Sequence, residues 1–490
     1  MGGKRGDEVI LSMPGERFTP FTLAKKLAAK AILESASFKR GRERYSLILV
    51  DEAFRLRQDA EGVVLVVDGA EKRLSLEPPN GNDQSAGGPA HPGGAPRAPD
   101  ILDALAAVAA QNAGAANGLP VPAAGIGFFG YDFVRRCDKV KIAEKKDSIE
   151  VPEAEFIIGH LYVVFDHYSD TIHVVGLNYA EHTTDLAARV ADLKKRLADL
   201  DFSYLAPPAE AVPFRIVSDE DAEKVAYMLG VEKIRERIIA GDLLQAVLSR
   251  RLTAESSLEP LEGYRRLRSA SPSPYLFYID YGTYTLLGAS PESLVRVRDG
   301  VASIRPIAGT RRRGVDAAED AALEKELLAD PKERAEHLML VDLARNDLGR
   351  SCAPGSVRVT RNMEPEHFSH VMHLVSEVEG TPDPERATYD LFRAAFPAGT
   401  VSGAPKIKAM EIVSELERHD RSFYAGAVGY LDASGGFDTC ITIRSALVKD
   451  GKWHLQAGAG IVYGSKPERE WEETNEKLAA LRAALSGGTK

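Results

Sequence analysis

A proline-bearing break at Asp201–Phe214 (DFSYLAPPAEAVPF) constrains the fold most, because it interrupts helix and strand patterning alike. It leaves two units, residues 1–205 and 215–490, each long enough to bury a core of its own. Within the first unit, Glu77–Ala98 is so rich in Pro, Gly and Ala that it reads as a mobile surface loop. No repeat of roughly 20 to 50 residues stands out, which argues against a solenoid.

Strand-like runs flank that loop at Tyr45–Val50 and Val63–Val67. DILDALAAVAAQ and AARVADLKKRLADL have helical spacing. IIGHLYVVFDHYSDTIHVVGL reads as two strands joined by a polar turn at His167–Asp170. After the break, Ser218 with Asp221 resembles a capping box opening a helix to about Ile239, and Gly241 is its stop. Strands and helices then alternate to the end, as in an α/β or α+β body.

Composition narrows the function classes. The net charge is −10 with the acids scattered, so no clustered basic face for nucleic acid is indicated. No apolar run is long enough to span a membrane or to serve as a secretory signal. Three widely spaced cysteines, Cys137, Cys352 and Cys440, fit no disulfide framework and point to a reducing cytoplasm.

Four features of the second unit carry chemistry. Glu333 with Glu336, and Glu470 with Glu473, put two carboxylates on one face of each of two helices. Two such faces suit Mg2+, although Glu-rich helices are also common solvated surfaces. WHLQAGAGIVYGSK reads as a glycine-bearing loop whose N–H groups can hold a carboxylate, or as a plain strand-to-helix turn. Its GxGxxxG spacing is neither a dinucleotide nor a phosphate-loop signature. IRPIAGTRRRG and FPAGTVSGAPKIKAME read as small-residue turns with hydroxyls (Thr310, Thr400, Ser402) and cations (Arg311, Lys406). Finally Gln245, Glu292, His373 and Arg444 interrupt apolar runs, where a buried polar group needs a partner.

In order, GDLLQAVLSRRL, LLGASPESLVR, IRPIAGTRRRG, KERAEHLMLVDLARNDLGR, FPAGTVSGAPKIKAMEI, FDTCITIRSA and LQAGAGIVYGSKPEREWEE resemble the chorismate-utilising enzymes. Among these they are most similar to the anthranilate synthase component I family. AILESASFKRGRERYSLI and GIGFFGYDFVR extend the likeness into the first unit. The resemblance implies two large antiparallel sheets packed face to face, helices outside, and an active site in the cleft between them. It implies Mg2+ on Glu336 and Glu473, with Glu333 and Glu470 holding its waters or joining as ligands. Gly309, Thr310, Tyr424, Arg444 and Gly458–Ala459–Gly460 would hold the substrate, with Lys406 beside them. Glu292 would be the general acid, His373 would assist proton handling, and Gln245 and Thr400 complete the catalytic set. Gln245 stands where isochorismate and salicylate synthases carry a lysine that activates water. Ala308 stands where aminodeoxychorismate synthases commonly carry a nucleophilic lysine. Both departures point to chorismate plus ammonia giving anthranilate and pyruvate. The rival readings are an aminodeoxychorismate synthase component I, or a non-catalytic tryptophan-sensing homologue. The resemblance further implies a glutamine amidotransferase partner that supplies ammonia. It also implies feedback inhibition by tryptophan at Ser35, Pro274, Tyr275 and Leu276, a pocket shared by the two units.

Overall fold

The structure, a computed structural model, describes residues 7–35, 44–76, 97–145, 148–199, 211–367 and 371–486. Nearly all of the expected Glu77–Ala98 loop and most of the Asp201–Phe214 break lie outside them.

Two antiparallel layers share their two longest strands. Tyr45–Asp59 pairs with Ala154–Asp166, but the register shifts repeatedly between Leu49 and Phe54. Such bulges bend a ribbon, so its two ends enter different layers. One end continues through Ala31–Glu34, Tyr275–Asp280, Thr285–Ser290, Ser445–Lys449 and Lys452–Ile461 to Gln245–Glu255. The other runs through Ile126–Phe129, Ala427–Leu431, Phe437–Ile441, Ser293–Arg298 and Val301–Ile304 to Val371–Gly380. The face-to-face arrangement with helices outside is thus present. The two sequence halves are interleaved, since Ala31–Glu34 and Ile126–Phe129 each pair with a strand from beyond the break.

Alternation along each strand decides what it covers. In Tyr275–Asp280, Phe277 and Ile279 join the core between the layers, while Leu276 and Tyr278 face outward. Helices Pro20–Leu27, Leu186–Ala198, Pro260–Ala270 and Pro467–Ser486 cover that outer face with Leu23, Leu193, Leu267 and Leu478. Each such side chain contributes roughly 1.5–3 kcal/mol by leaving water. Within that layer the Phe277 ring lies over its cross-strand partner Gly288, where an added Cβ would lie 2.3 Å from it.

Three local expectations shift. The helix Glu220–Ile239 is capped by Asp219, which accepts from Ala222 N at 3.0 Å; Ser218 instead receives Thr253 N at 3.2 Å. Ile307–Arg312 is a bulged strand rather than a turn, because Val371–Gly380 supplies its partner. Gly458–Gly460 lie within the strand Lys452–Ile461, not in a loop, and pair with Val247–Ser249. Among the described residues no helix is long and apolar enough to cross a membrane.

Candidate active site

Two chain crossings between the layers place opposite charges in one cleft. The first is the Pro291–Glu292 corner between Thr285–Ser290 and Ser293–Arg298, held by Ile441 N donating to Glu292 O at 3.1 Å. The second joins Phe437–Ile441 to Ser445–Lys449 through Arg444, whose carbonyl accepts from Ala289 N at 3.1 Å. Arg444 adopts a left-handed φ of 52°, a conformation costing about 1–3 kcal/mol in a non-glycine residue and concentrated at functional sites.

Burial pushes the Glu292 carboxyl up to about 7, against the pull of the Thr400 hydroxyl and the Arg444 charge. Thr400 Oγ1 lies near enough to bias Glu292 but is itself buried without a well-formed hydrogen bond. Burial lowers the Arg444 guanidinium, and Tyr424, Glu473 and Glu292 around it oppose the shift. No protein acceptor among the described residues takes a hydrogen bond from its side chain. A fork of donors therefore faces the cleft unspent.

His373 comes from the opposite layer. The bulge between Ala308 and Thr310 leaves Gly309 unmatched at φ 74° and turns its carbonyl toward the ring. His373 Nδ1 lies 3.1 Å from Gly309 O and 3.0 Å from Thr310 Oγ1. A carbonyl can only accept, so Nδ1 carries the proton and Nε2 keeps its lone pair. Burial lowers the His373 pKa, which favours that neutral form.

The glutamate doublets flank the cleft from two helices. Pro331–Gly349 is capped by Asp330, which accepts from Lys332 N and Glu333 N. On it, Glu336 is half-exposed, 3.6 Å from Lys332 Nζ, and Glu333 receives Arg311 at 3.2 Å. On Pro467–Ser486, Glu470 is buried and Glu473 receives Lys477 Nζ at 2.7 Å. Burial raises Glu336 and Glu470, and the neighbouring carboxylates Glu333 and Glu473 add to it. The cations beside them, Lys332 at Glu336 and Lys477 and Arg469 near Glu470, oppose the rise without cancelling it. Among the described residues no three acidic or imidazole groups converge into a ready-made cage. Mg2+ takes one or two carboxylates and fills its remaining positions with water and substrate, so Glu336 and Glu473 fit that ion.

The floor is the edge of Lys452–Ile461. The Gly458 carbonyl turns away from its paired strand and accepts from Lys477 Nζ at 2.7 Å. An added Cβ at Gly458 would meet Leu248 O at 2.8 Å and the Tyr424 hydroxyl at 3.1 Å; at Gly460 it would meet Gln245 Nε2 at 2.6 Å. The sheet, not a loop, thus presents the glycine backbone.

Gln245, Glu292, Ala308, Thr310, Glu336, His373, Thr400, Tyr424, Arg444, Gly458 and Gly460 line this cleft. Glu333, Glu470, Glu473, Gly309 and Ala459 are not in its lining; Glu473 is bound by the lining Lys477, and Gly309 and Ala459 are chain neighbours of lining residues. Lys406 is not brought there: its ammonium lies 3.1 Å from Asp347 and 3.3 Å from Ala395 O. Lys477 lines the cleft and was missed, although its position one turn after Glu473 was a readable signal. Ser35, Pro274, Tyr275 and Leu276 meet at a separate cavity, on the seam between the sequence halves.

Residues 54–483 match the family model described as chorismate binding enzyme. The anthranilate synthase component 1 of Spirochaeta aurantia is 48% identical over 480 residues, covering 98% of this chain and 95% of that relative. The crystal structure of anthranilate synthase component I from Streptococcus pneumoniae TIGR4 superposes with a TM-score of 0.72 at 36% identity, covering 90% of this chain and 92% of that one. The menaquinone-specific isochorismate synthase of Escherichia coli shares the fold, with a TM-score of 0.71 at 19% identity over 99% of this chain and 96% of its own. The chain belongs to the chorismate-binding enzymes and is a lyase of the anthranilate synthase component I family.

Proposed function

We propose that the cleft converts chorismate and ammonia to anthranilate and pyruvate. The observation that carries this reading is Glu292, a carboxyl held near neutral pKa beside the unspent Arg444 fork. Such a group is protonated enough to donate and acidic enough to do so readily. Glu292 delivers its proton to the departing 4-hydroxyl. Arg444, the Tyr424 hydroxyl and the Gly458–Gly460 edge orient the carboxylates. With Gln245 and Ala308 in the wall, no lysine there activates water or attacks the ring. His373, with Nδ1 carrying the proton, accepts a proton at Nε2 as pyruvate leaves.

Mg2+ on Glu336 and Glu473, with Glu333 and Glu470 supporting, would neutralise the ring carboxylate. Lys477 holds Glu473 and the Gly458 carbonyl in place for that load.

Ammonia comes from a glutamine amidotransferase partner. Burial raises all three cysteine thiols, Cys137 to about 12 and Cys352 to about 11, so none offers the thiolate a glutaminase needs. Their buried, unpaired state also supports a reducing cytoplasm. Tryptophan occupies the seam cavity and inhibits.

A product assay tests the core of this. Chorismate, ammonium and Mg2+ are expected to give blue-fluorescent anthranilate, and glutamine is expected to replace ammonium only when the partner is added. Glu336→Gln and Glu473→Gln should each raise the Mg2+ concentration needed by about tenfold or more. Isochorismate or salicylate as product would overturn the assignment.

A further inference from the structure

A small side cavity opens off the catalytic cleft and shares Glu292, Leu340 and Thr400 with it. Its middle is apolar, walled by Leu343, Ala344 and Ala398. Its far end carries the buried Asp347, bound to Lys406 at 3.1 Å. Polar groups therefore stand at both ends of a short apolar passage. At the near end Thr400 Oγ1 is buried beside Glu292 without a well-formed hydrogen bond among the described residues. An unpaired buried hydroxyl is costly, and a water is the ordinary means of satisfying one.

We propose that this side cavity is a water site that takes up the water formed when Glu292 protonates the substrate's departing 4-hydroxyl. The inference rests on the function proposed for the cleft. In that step the ammonia nitrogen bonds to C2, the two ring double bonds shift, the C4–O bond breaks with its electron pair going to oxygen, the oxygen takes the Glu292 proton, and one water molecule appears beside Glu292. With substrate filling the cleft, the space on the other side of Glu292 is the nearest place for it. Thr400 offers that water both a donor and lone pairs, and Asp347 is a further acceptor. An ammonium route fits less well. Lys406 already neutralises Asp347, the middle of the passage is apolar, and Gln245 and Ala308, on the side where the nitrogen attacks, do not line this cavity.

Two measurements on the full chain decide it. A high-resolution crystal structure should show ordered water bonded to Thr400 in this cavity; a dry cavity overturns the inference. Ala344→Val and Ala398→Val each fill the passage without entering the cleft. Both should slow single-turnover anthranilate formation about tenfold, with the KM values for chorismate and ammonium unchanged. If Ala344→Val does not fold, Ala398→Val decides alone. An unchanged single-turnover rate in a folded variant, or a raised ammonium KM, would sink the idea, the latter marking an ammonia path. A wild-type protein making no anthranilate would defeat the reading of the cleft instead, a result distinct from a dry or wet cavity.

Discussion

The catalytic cleft and the seam cavity are built by opposite means. The cleft lies where the chain crosses between layers and where registers break: the Glu292 corner, the left-handed Arg444, and the bulge at Gly309. Its wall is charged and contains an arginine, Arg444, whose side chain finds no protein acceptor among the described residues. The seam cavity lies where two strands from distant parts of the sequence pair in register, Leu276 against Glu34 and Phe277 against Leu33. Among the described residues its wall is mainly Leu33, Leu47, Pro274, Leu276, Phe277 and Val428, with charge at Glu34, Arg298 and Asp438. Irregular backbone leaves polar groups that a ligand must satisfy, and so makes a place for chemistry. Regular pairing makes a smooth apolar slot, which selects by shape and area. The two are close. Tyr275 pairs with Ser290 and Cys440 with Ser293, so strands lining the seam end at the corner that holds Glu292.

The sharpest way to break the contrast is Glu292→Gln. It should lower kcat by about 10²- to 10⁴-fold while tryptophan binding to the seam persists. The pH profile gives a second check. Burial disfavours the charged form, so the donating acid is present below about pH 7 and is lost as pH rises through that value. Wild-type activity should therefore decline on the alkaline side, and the variant's residual activity should lack that limb. An unaltered alkaline limb in the variant would remove Glu292 from the role.

A middle-sized effect is expected at Ser35. Its hydroxyl is buried and finds no partner among the described residues. Ser35→Ala thus removes no hydrogen bond made among them. If the hydroxyl bonds tryptophan, the variant should need about tenfold more tryptophan for half inhibition, at unchanged kcat. A matching fall in kcat would mean that the seam supports the catalytic corner by itself.

How legible this was depended on how local each cause is. The helices Ile101–Gln111, Leu186–Ala198 and Glu220–Ile239 carry their caps and spacing within their own segments, so a sequence reading finds them to within a residue or two. Gly458–Gly460 and Ile307–Arg312 were misread as loop and turn. Glycines weaken a strand signal, and the partner of the Gly458–Gly460 end lies some two hundred residues earlier. Lys406 looked like a ligand for substrate because nothing nearby reveals that packing pairs it with Asp347. Composition and spacing alone left the four glutamates as ambiguous as any charged helix. It was the order of many motifs, through family likeness, that singled out Glu292, His373 and Arg444.

The smallest expected effect tests whether the glycine edge belongs to the cleft by geometry alone. At Gly460 an added Cβ meets only the end of the Gln245 side chain, at 2.6 Å, and that side chain can swing aside. At Gly458 the obstacle is the Leu248 carbonyl at 2.8 Å, which is backbone in the paired strand and cannot yield without moving it. Gly460→Ala should therefore raise the chorismate KM about threefold, roughly 0.7 kcal/mol, with melting temperature and tryptophan inhibition unchanged. Gly458→Ala should cost more in both KM and stability, because it strains the ladder as well as the cleft. The seam cavity shares neither residue, so its affinity is the internal control. Equal KM effects from the two variants would show that crowding of the cleft, rather than the set of the strand edge, governs how the substrate is held.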